Sequence, residues 1–137
     1  MQEKDDVVNI IVDTSVFIDF ARANKGFYLD ILELGSGGDA RLFVPTVAIM
    51  EYWAGRNMRL KGMVEKAEIL FRKFDKIDLT ESIAKKAGEL IRENSVVESV
   101  DSIVAATALY LDAQLATSNK KHFEKVEELK LFKLQKS

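Results

Sequence analysis

The sequence predicts an α/β fold, a layered sandwich in which helices flank a mostly parallel central sheet. Three features point to it. Short β-type apolar runs alternate with longer stretches of helical apolar spacing along the whole chain. The run Ile10-Ile11-Val12 is apolar without alternation, as a strand buried on both faces requires. It ends abruptly in Asp13-Thr14-Ser15, so polar groups emerge at the carboxyl end of a strand, where open parallel sheets bind ligands.

The 137 residues are read as one domain, 1–137, large enough to bury a sizeable core. With 47% hydrophobic and 31% charged residues, the composition is that of an ordinary soluble globular protein. No run approaches the roughly 20 apolar residues needed to span a bilayer, and no signal peptide is evident, so a cytoplasmic location is expected. The absence of cysteine excludes disulfides, thiolate catalysis and Cys-ligated metal. A single histidine argues against His-based zinc sites and Ser-His-Asp triads. Any catalytic metal must then be held by oxygen, which favours Mg²⁺ or Mn²⁺. Net charge −2 argues against a generally basic nucleic-acid binder but leaves room for a local basic groove.

Residues 1–6 form a polar lead-in. A first strand is expected from Val8 to Asp13, then a helix capped by Ser15 and running to about Ala23. Phe27, Tyr28, Ile31 and Leu32 mark a second helix that ends at Gly35-Ser36-Gly37-Gly38. A strand over Arg41 to Val44 leads through Pro45 into a helix from Thr46, its cap, to about Met58. Met63, Ala67, Leu70 and Phe74 stripe an amphipathic helix over Gly62 to Phe74, either core or a partner face. Lys76 to Leu79 is read as a strand, and Thr80 caps the next helix. Ser99 is the expected cap of an apolar helix from Val100 to about Asp112. A strand at Gln114 to Thr117, a short charged helix opened by Asn119 and an edge strand within Leu129 to Leu134 complete the chain.

Four residues fall where strands hand over to helices or in the first turns that follow: Asp13, Glu51, Asp101 and Asn119. Singly, Asp13 and Asn119 read as helix caps and Asp101 as a residue favoured at a helix N-terminus. Glu51 is harder to assign to structure, because its neighbours Val47, Ala48, Ile49, Met50, Tyr52 and Trp53 are apolar or aromatic. Either it pairs with a cation such as Arg59 or it is functional. Clustered carboxylates repel unless a cation neutralises them or one takes up a proton.

The segments IIVDTSVFIDF, VPTVAIMEYWAG and VDSIVAATALYLDAQLATSNKKHF resemble the PIN-domain nucleases, in particular the small ribonuclease toxins of prokaryotic VapBC toxin–antitoxin modules. The resemblance runs from Ile10 to about Phe123, and its most specific part is DSIVAATAL followed by LATSNKKHF. It implies a PIN-like three-layer sandwich with the first strand central. It further implies that Asp13, Glu51 and Asp101 are catalytic and bind Mg²⁺ or Mn²⁺, with Thr14, Ser15 and Thr117 in support. Asn119 matches a position where many members carry a fourth acid; here it supplies a neutral oxygen and one negative charge fewer.

By the same resemblance the activity is endoribonucleolytic, with 5′-phosphate and 3′-hydroxyl products, a homodimeric state and a VapB-type antitoxin partner. Arg22, Lys25, Arg56, Arg59, Lys120 and Lys121 lie near the site-bearing segments as candidate contacts for RNA phosphates. His122 is expected exposed on the short last helix, and of Tyr52 and Trp53 one is expected in the core and the other facing outward. Two alternatives stay open: a housekeeping RNA-processing nuclease without an antitoxin, and a non-catalytic binding module of the same fold.

Overall fold

The computed structural model describes residues 7–96 and 98–134; the polar lead-in of residues 1–6 lies outside them. Five strands, β1 (Val8–Val12), β2 (Ala40–Pro45), β3 (Asp75–Ile77), β4 (Gln114–Ala116) and β5 (Lys130–Leu131), form a single sheet. Their order is β3-β2-β1-β4-β5, and every neighbouring pair is parallel. Six helices join them: α1 (Thr14–Ala23), α2 (Tyr28–Ser36), α3 (Thr46–Trp53), α4 (Met63–Phe71), α5 (Glu81–Arg92) and α6 (Ser99–Tyr110).

The apolar run of β1 explains its central place. Ile10, Ile11 and Val12 are fully buried, and strand alternation sends them to opposite faces of the sheet. Ile10 and Val12 join one core with Phe17, Tyr28, Ile31, Phe71 and Phe74. Ile11 joins the other with Ile83, Leu90, Val104, Leu115 and Phe123. The sheet is thus the middle of three layers. Phe17 centres the first core, its ring 4.5 Å from that of Phe71 and 5.1 Å from that of Phe74. In the same layer α2 lies hard against β2: a Cβ on Gly35 would sit 2.6 Å from Leu42 Cδ1.

Several boundaries differ from the sequence reading, each for a local reason. Asp13, not Ser15, is the N-cap of α1; Ser15 lies in the first turn and its hydroxyl donates to Asp13 Oδ2 at 3.0 Å. Thr46 does not cap α3: β2 continues through Pro45, and the Thr46 hydroxyl reaches across to the Ile77 carbonyl at 3.5 Å. That helix stops at Trp53, because Gly55 turns extended before a 3-10 turn over Arg56–Arg59. The striped helix is shorter than expected, so Phe74 fills the core from beyond its end, while Val64 is exposed. Ser99 is the first residue of α6, whose cap position is Glu98. Asn119 opens only a 3-10 turn, Lys120–His122. The Thr80 cap holds as expected, its hydroxyl accepting from the Ile83 N–H at 3.3 Å. Tyr52 and Trp53 are both half-buried and both pack on Phe71.

Candidate active site

Asp13 sits where the central strand ends. Its N–H donates to the Ala116 carbonyl at 3.0 Å, which carries the β1–β4 pairing one step past both strands and brings Thr117 alongside. Asp13 is buried, 4% exposed, and its carboxylate accepts from three neutral donors. The Thr14 N–H donates to Oδ1 at 2.8 Å; the hydroxyls of Thr117 and Ser15 donate to Oδ2 at 2.8 and 3.0 Å. A carboxylate held by several N–H and O–H donors and no cation keeps its charge available for a further partner.

Glu51 comes from α3 and is tied to α1 by one hydrogen bond. The Thr14 hydroxyl lies 2.7 Å from Glu51 Oε1 and 3.2 Å from the Ala48 carbonyl. Thr14 therefore serves both acids, its backbone N–H on Asp13 and its side chain on Glu51. No salt bridge to Arg59 forms, so the expected structural alternative for Glu51 is not the one used. Asp101 enters from the first turn of α6, half-buried, with Oδ2 2.9 Å from His122 Nδ1.

The electrostatics tie the three acids together. Burial pushes the Glu51 carboxyl above its ordinary value, and the charges of Asp13, Asp101 and Glu98 push it further, against the lowering effect of the Thr14 hydroxyl. Burial likewise raises Asp101, followed by the charge of Asp13; the bond and charge of His122 lower it, and Glu98 raises it. Among the described residues no lysine or arginine forms a salt bridge with any of the three. The site is therefore an acidic cluster at the carboxyl ends of parallel strands, with His122 beside Asp101 as its one basic partner among the described residues.

That donor set, all oxygen and acidic, fits a hard divalent cation. Among the described residues no three acidic or histidine side chains are gathered tightly enough to form a ready ligand cage. Mg²⁺ does not need one, since it typically binds through one or two carboxylates and keeps several waters.

Of the remaining expected residues, Asn119 is exposed; its backbone N–H donates to Thr117 Oγ1 at 2.9 Å, so it braces the residue that holds Asp13. Arg22 and Arg56 line a cleft beside Glu51, while Arg59, at the far end of the same turn, is exposed and not part of its wall. Lys25 is exposed just beyond α1, and Lys120 and Lys121 are exposed on the turn that carries His122. Three contributors escaped the sequence reading. Glu98, one helical turn before Asp101, had a readable signal in that i, i+3 spacing. The Ser118 hydroxyl bonds Asp19 Oδ2 at 2.5 Å, and the Ser118 N–H donates to Ser15 Oγ at 2.9 Å. These contacts span about a hundred residues and left no local trace.

Comparison with known proteins agrees with this architecture. The PIN domain family model matches residues 10–129. Ribonuclease VapC19 of Mycobacterium tuberculosis is 29% identical over 118 residues, 82% of this chain and 90% of that protein. Ribonuclease VapC1 of Methanocaldococcus jannaschii is 29% identical over 126 residues, covering 89% of this chain and 84% of its own. Among solved structures, VapBC2 from Rickettsia felis bound to a promoter DNA fragment superposes with a TM-score of 0.78 at 19% identity, covering 93% of this chain and all of that one. DNA-bound VapBC from Salmonella typhimurium gives 0.76 at 18% identity, covering 91% and 97%. Since the family model takes in the strand end bearing Asp13, the helices bearing Glu51 and Asp101, and the turn after β4, this chain belongs to the PIN-domain family.

Proposed function

We propose that the protein is a divalent-metal-dependent endoribonuclease and the toxin of a toxin–antitoxin pair. The reading is carried by the gathering of Asp13, Glu51 and Asp101 at the strand ends, where Thr14 bonds both Asp13 and Glu51, the charge of Asp13 raises both Glu51 and Asp101, and no lysine or arginine of the described residues forms a salt bridge with any of the three. It is supported by PIN-family membership, by relatives named as ribonucleases, and by structural neighbours described as VapBC.

Asp13, Asp101 and Glu51 are the proposed ligands of Mg²⁺ or Mn²⁺, directly or through water. A divalent cation held there by Asp13, Asp101 and Glu51 would offset their charge and would supply Lewis-acid chemistry toward a phosphate. The chain's own residues do the rest. Ser15, Thr117 and the Thr14 N–H fix Asp13, whose carboxylate cannot swing away without breaking three bonds. Thr14 Oγ1 orients Glu51, whose carboxylate is the proposed acceptor of a proton from an attacking water. Asn119 adds a neutral oxygen donor at the rim in place of a fourth acid. Arg22, Arg56, Arg59, Lys120 and Lys121 are the proposed contacts for RNA phosphates. The expected products are 5′-phosphate and 3′-hydroxyl ends, and the expected assembly is a homodimer with a VapB-type antitoxin.

The test is RNA cleavage by the protein purified without a partner. Cleavage should require Mg²⁺ or Mn²⁺, stop in EDTA, and be lost in Asp13→Asn. Cleavage that persists in EDTA, or in that variant, overturns the mechanism.

A further inference from the structure

A cleft of about 500 Å³ opens directly beside the acidic site, between α1, α3 and the Arg56–Arg59 turn. Its lining divides into two chemistries. Tyr52 and Met58 supply a flat aromatic ring and a polarizable thioether, both half-buried. Arg22 and Arg56 supply two exposed guanidinium groups, neither in a salt bridge among the described residues. Glu51 belongs both to this wall and to the coupled acids, so whatever fills the cleft is continuous with a molecule reacting at them.

An apolar peptide side chain would satisfy the ring and the thioether but leave two cations facing nothing. A simple anion would pair with the arginines and leave the apolar wall wet. A nucleotide satisfies both, since it joins a π-face to a phosphate, and a volume of this size suits a small organic ligand. We propose that the cleft is a nucleotide subsite: it takes the base of an RNA residue neighbouring the scissile phosphate, while Arg22 and Arg56 hold that residue's phosphate. The polymer's identity rests on the ribonuclease reading above. Asn57, exposed on the same wall, presents an amide that both donates and accepts, which is what discrimination between base edges requires. The subsite would therefore set sequence preference at one position of the RNA.

The experiment measures binding in EDTA, so that no cleavage intervenes. The full chain is titrated against fluorescein-labelled hexamers of A, C, G and U, and against a ribose-phosphate hexamer without bases, by fluorescence anisotropy. At least one base-bearing hexamer should bind on the order of tenfold tighter than the base-free one. Ala21→Leu and Ala21→Met fill the cleft from an exposed position with side chains that offer no aromatic face. Each should erase the preference and leave base-free affinity within about twofold, as expected where only stacking is removed. Arg22→Ala should weaken all hexamers together and flatten the dependence on salt. Equal binding of base-bearing and base-free hexamers, as for a cleft that only a polypeptide enters, overturns the proposal; so does a preference that survives both Ala21 substitutions. Cleavage of a long RNA by the unmodified protein in Mg²⁺ is scored separately. Its absence beside an intact base preference removes the nuclease reading alone, and its presence without a preference removes the subsite alone.

Discussion

His122 Nδ1 lies 2.9 Å from Asp101 Oδ2, so the chain's single histidine is tied to one of the three coupled acids. The contact links the turn after β4 to the first turn of α6 and acts against the burial and the neighbouring charges that raise the Asp101 carboxyl.

Removing the imidazole should leave those raising influences unopposed. Asp101 then ionises at higher pH, and the acidic limb of the cleavage profile moves upward in His122→Ala. At neutral pH the rate should fall by about three- to tenfold, the scale of losing one ordinary hydrogen bond at a partly exposed position. His122→Asn, which keeps a short donor, should recover much of the loss. A pH–rate profile that does not move in the alanine variant removes His122 from any role through Asp101.

Asp13 is a helix cap and a proposed metal ligand at once, and two substitutions separate these roles. Asparagine ranks beside aspartate as an N-cap and retains one accepting oxygen, so Asp13→Asn should unfold near the wild-type temperature while losing cleavage. Alanine leaves the Thr14 N–H and the buried Thr117 hydroxyl without their acceptor, at a cost of about 2 kcal/mol. Thermal melts that rank asparagine with alanine would show that the carboxylate's charge, not its accepting oxygens, holds the fold here.

These two residues also mark how far the chain could be read in advance. Asp13 was legible because an unbroken apolar strand must be buried on both faces and must end somewhere, and it ends there. Glu51 stood out as an acid inside an otherwise apolar helix, whereas Asp101 read singly as a residue favoured at a helix N-terminus and joined the site only through the pattern of the four positions and the family resemblance. The caps were less legible: Thr80 caps as its type suggests, but other hydroxyls at helix starts do not. Ser15 donates to Asp13, Thr46 donates to Ile77, and Ser99 lies inside the first turn of α6, one residue past the cap. His122 to Asp101, Ser118 to Asp19 and the influence of Glu98 on Glu51 are tertiary contacts, which spacing along one helix or strand does not reveal.

Thr14 joins Asp13 to Glu51, and Thr14→Val tests that joint. Valine has nearly the same shape but no hydroxyl, so the buried methyl packing survives while Glu51 loses its 2.7 Å partner. Glu51 is exposed enough to hydrate the freed oxygen, so stability should fall by only about 1 kcal/mol. Cleavage should fall by more, on the order of tenfold, because a carboxylate free to rotate is seldom in position. Equal rates for valine and wild type would mean that Glu51 needs no orienting hydroxyl.

Crowding of the acids has a consequence for stability that can be measured without any substrate. Glu51 and Asp101 are raised above their ordinary values of 4.5 and 3.8, so the folded protein binds protons more tightly at these positions than the unfolded chain does. Linkage then fixes the sign: their contribution favours folding below the ordinary values and is lost as pH rises through the folded ones. Glu51→Gln and Asp101→Asn abolish that titration. In the absence of metal, each variant should melt above wild type at pH 7, and the difference should shrink as pH falls toward 4. Divalent cation should reverse the order, because Mg²⁺ or Mn²⁺ binding to the folded state stabilises wild type by mass action and stabilises the variants less. Melting curves at three pH values, with EDTA or with 10-fold steps of Mg²⁺, decide it. Variants that melt below wild type in EDTA at pH 7 would mean that these acids are not crowded, and a wild type indifferent to both metals would take away the proposed ligand set.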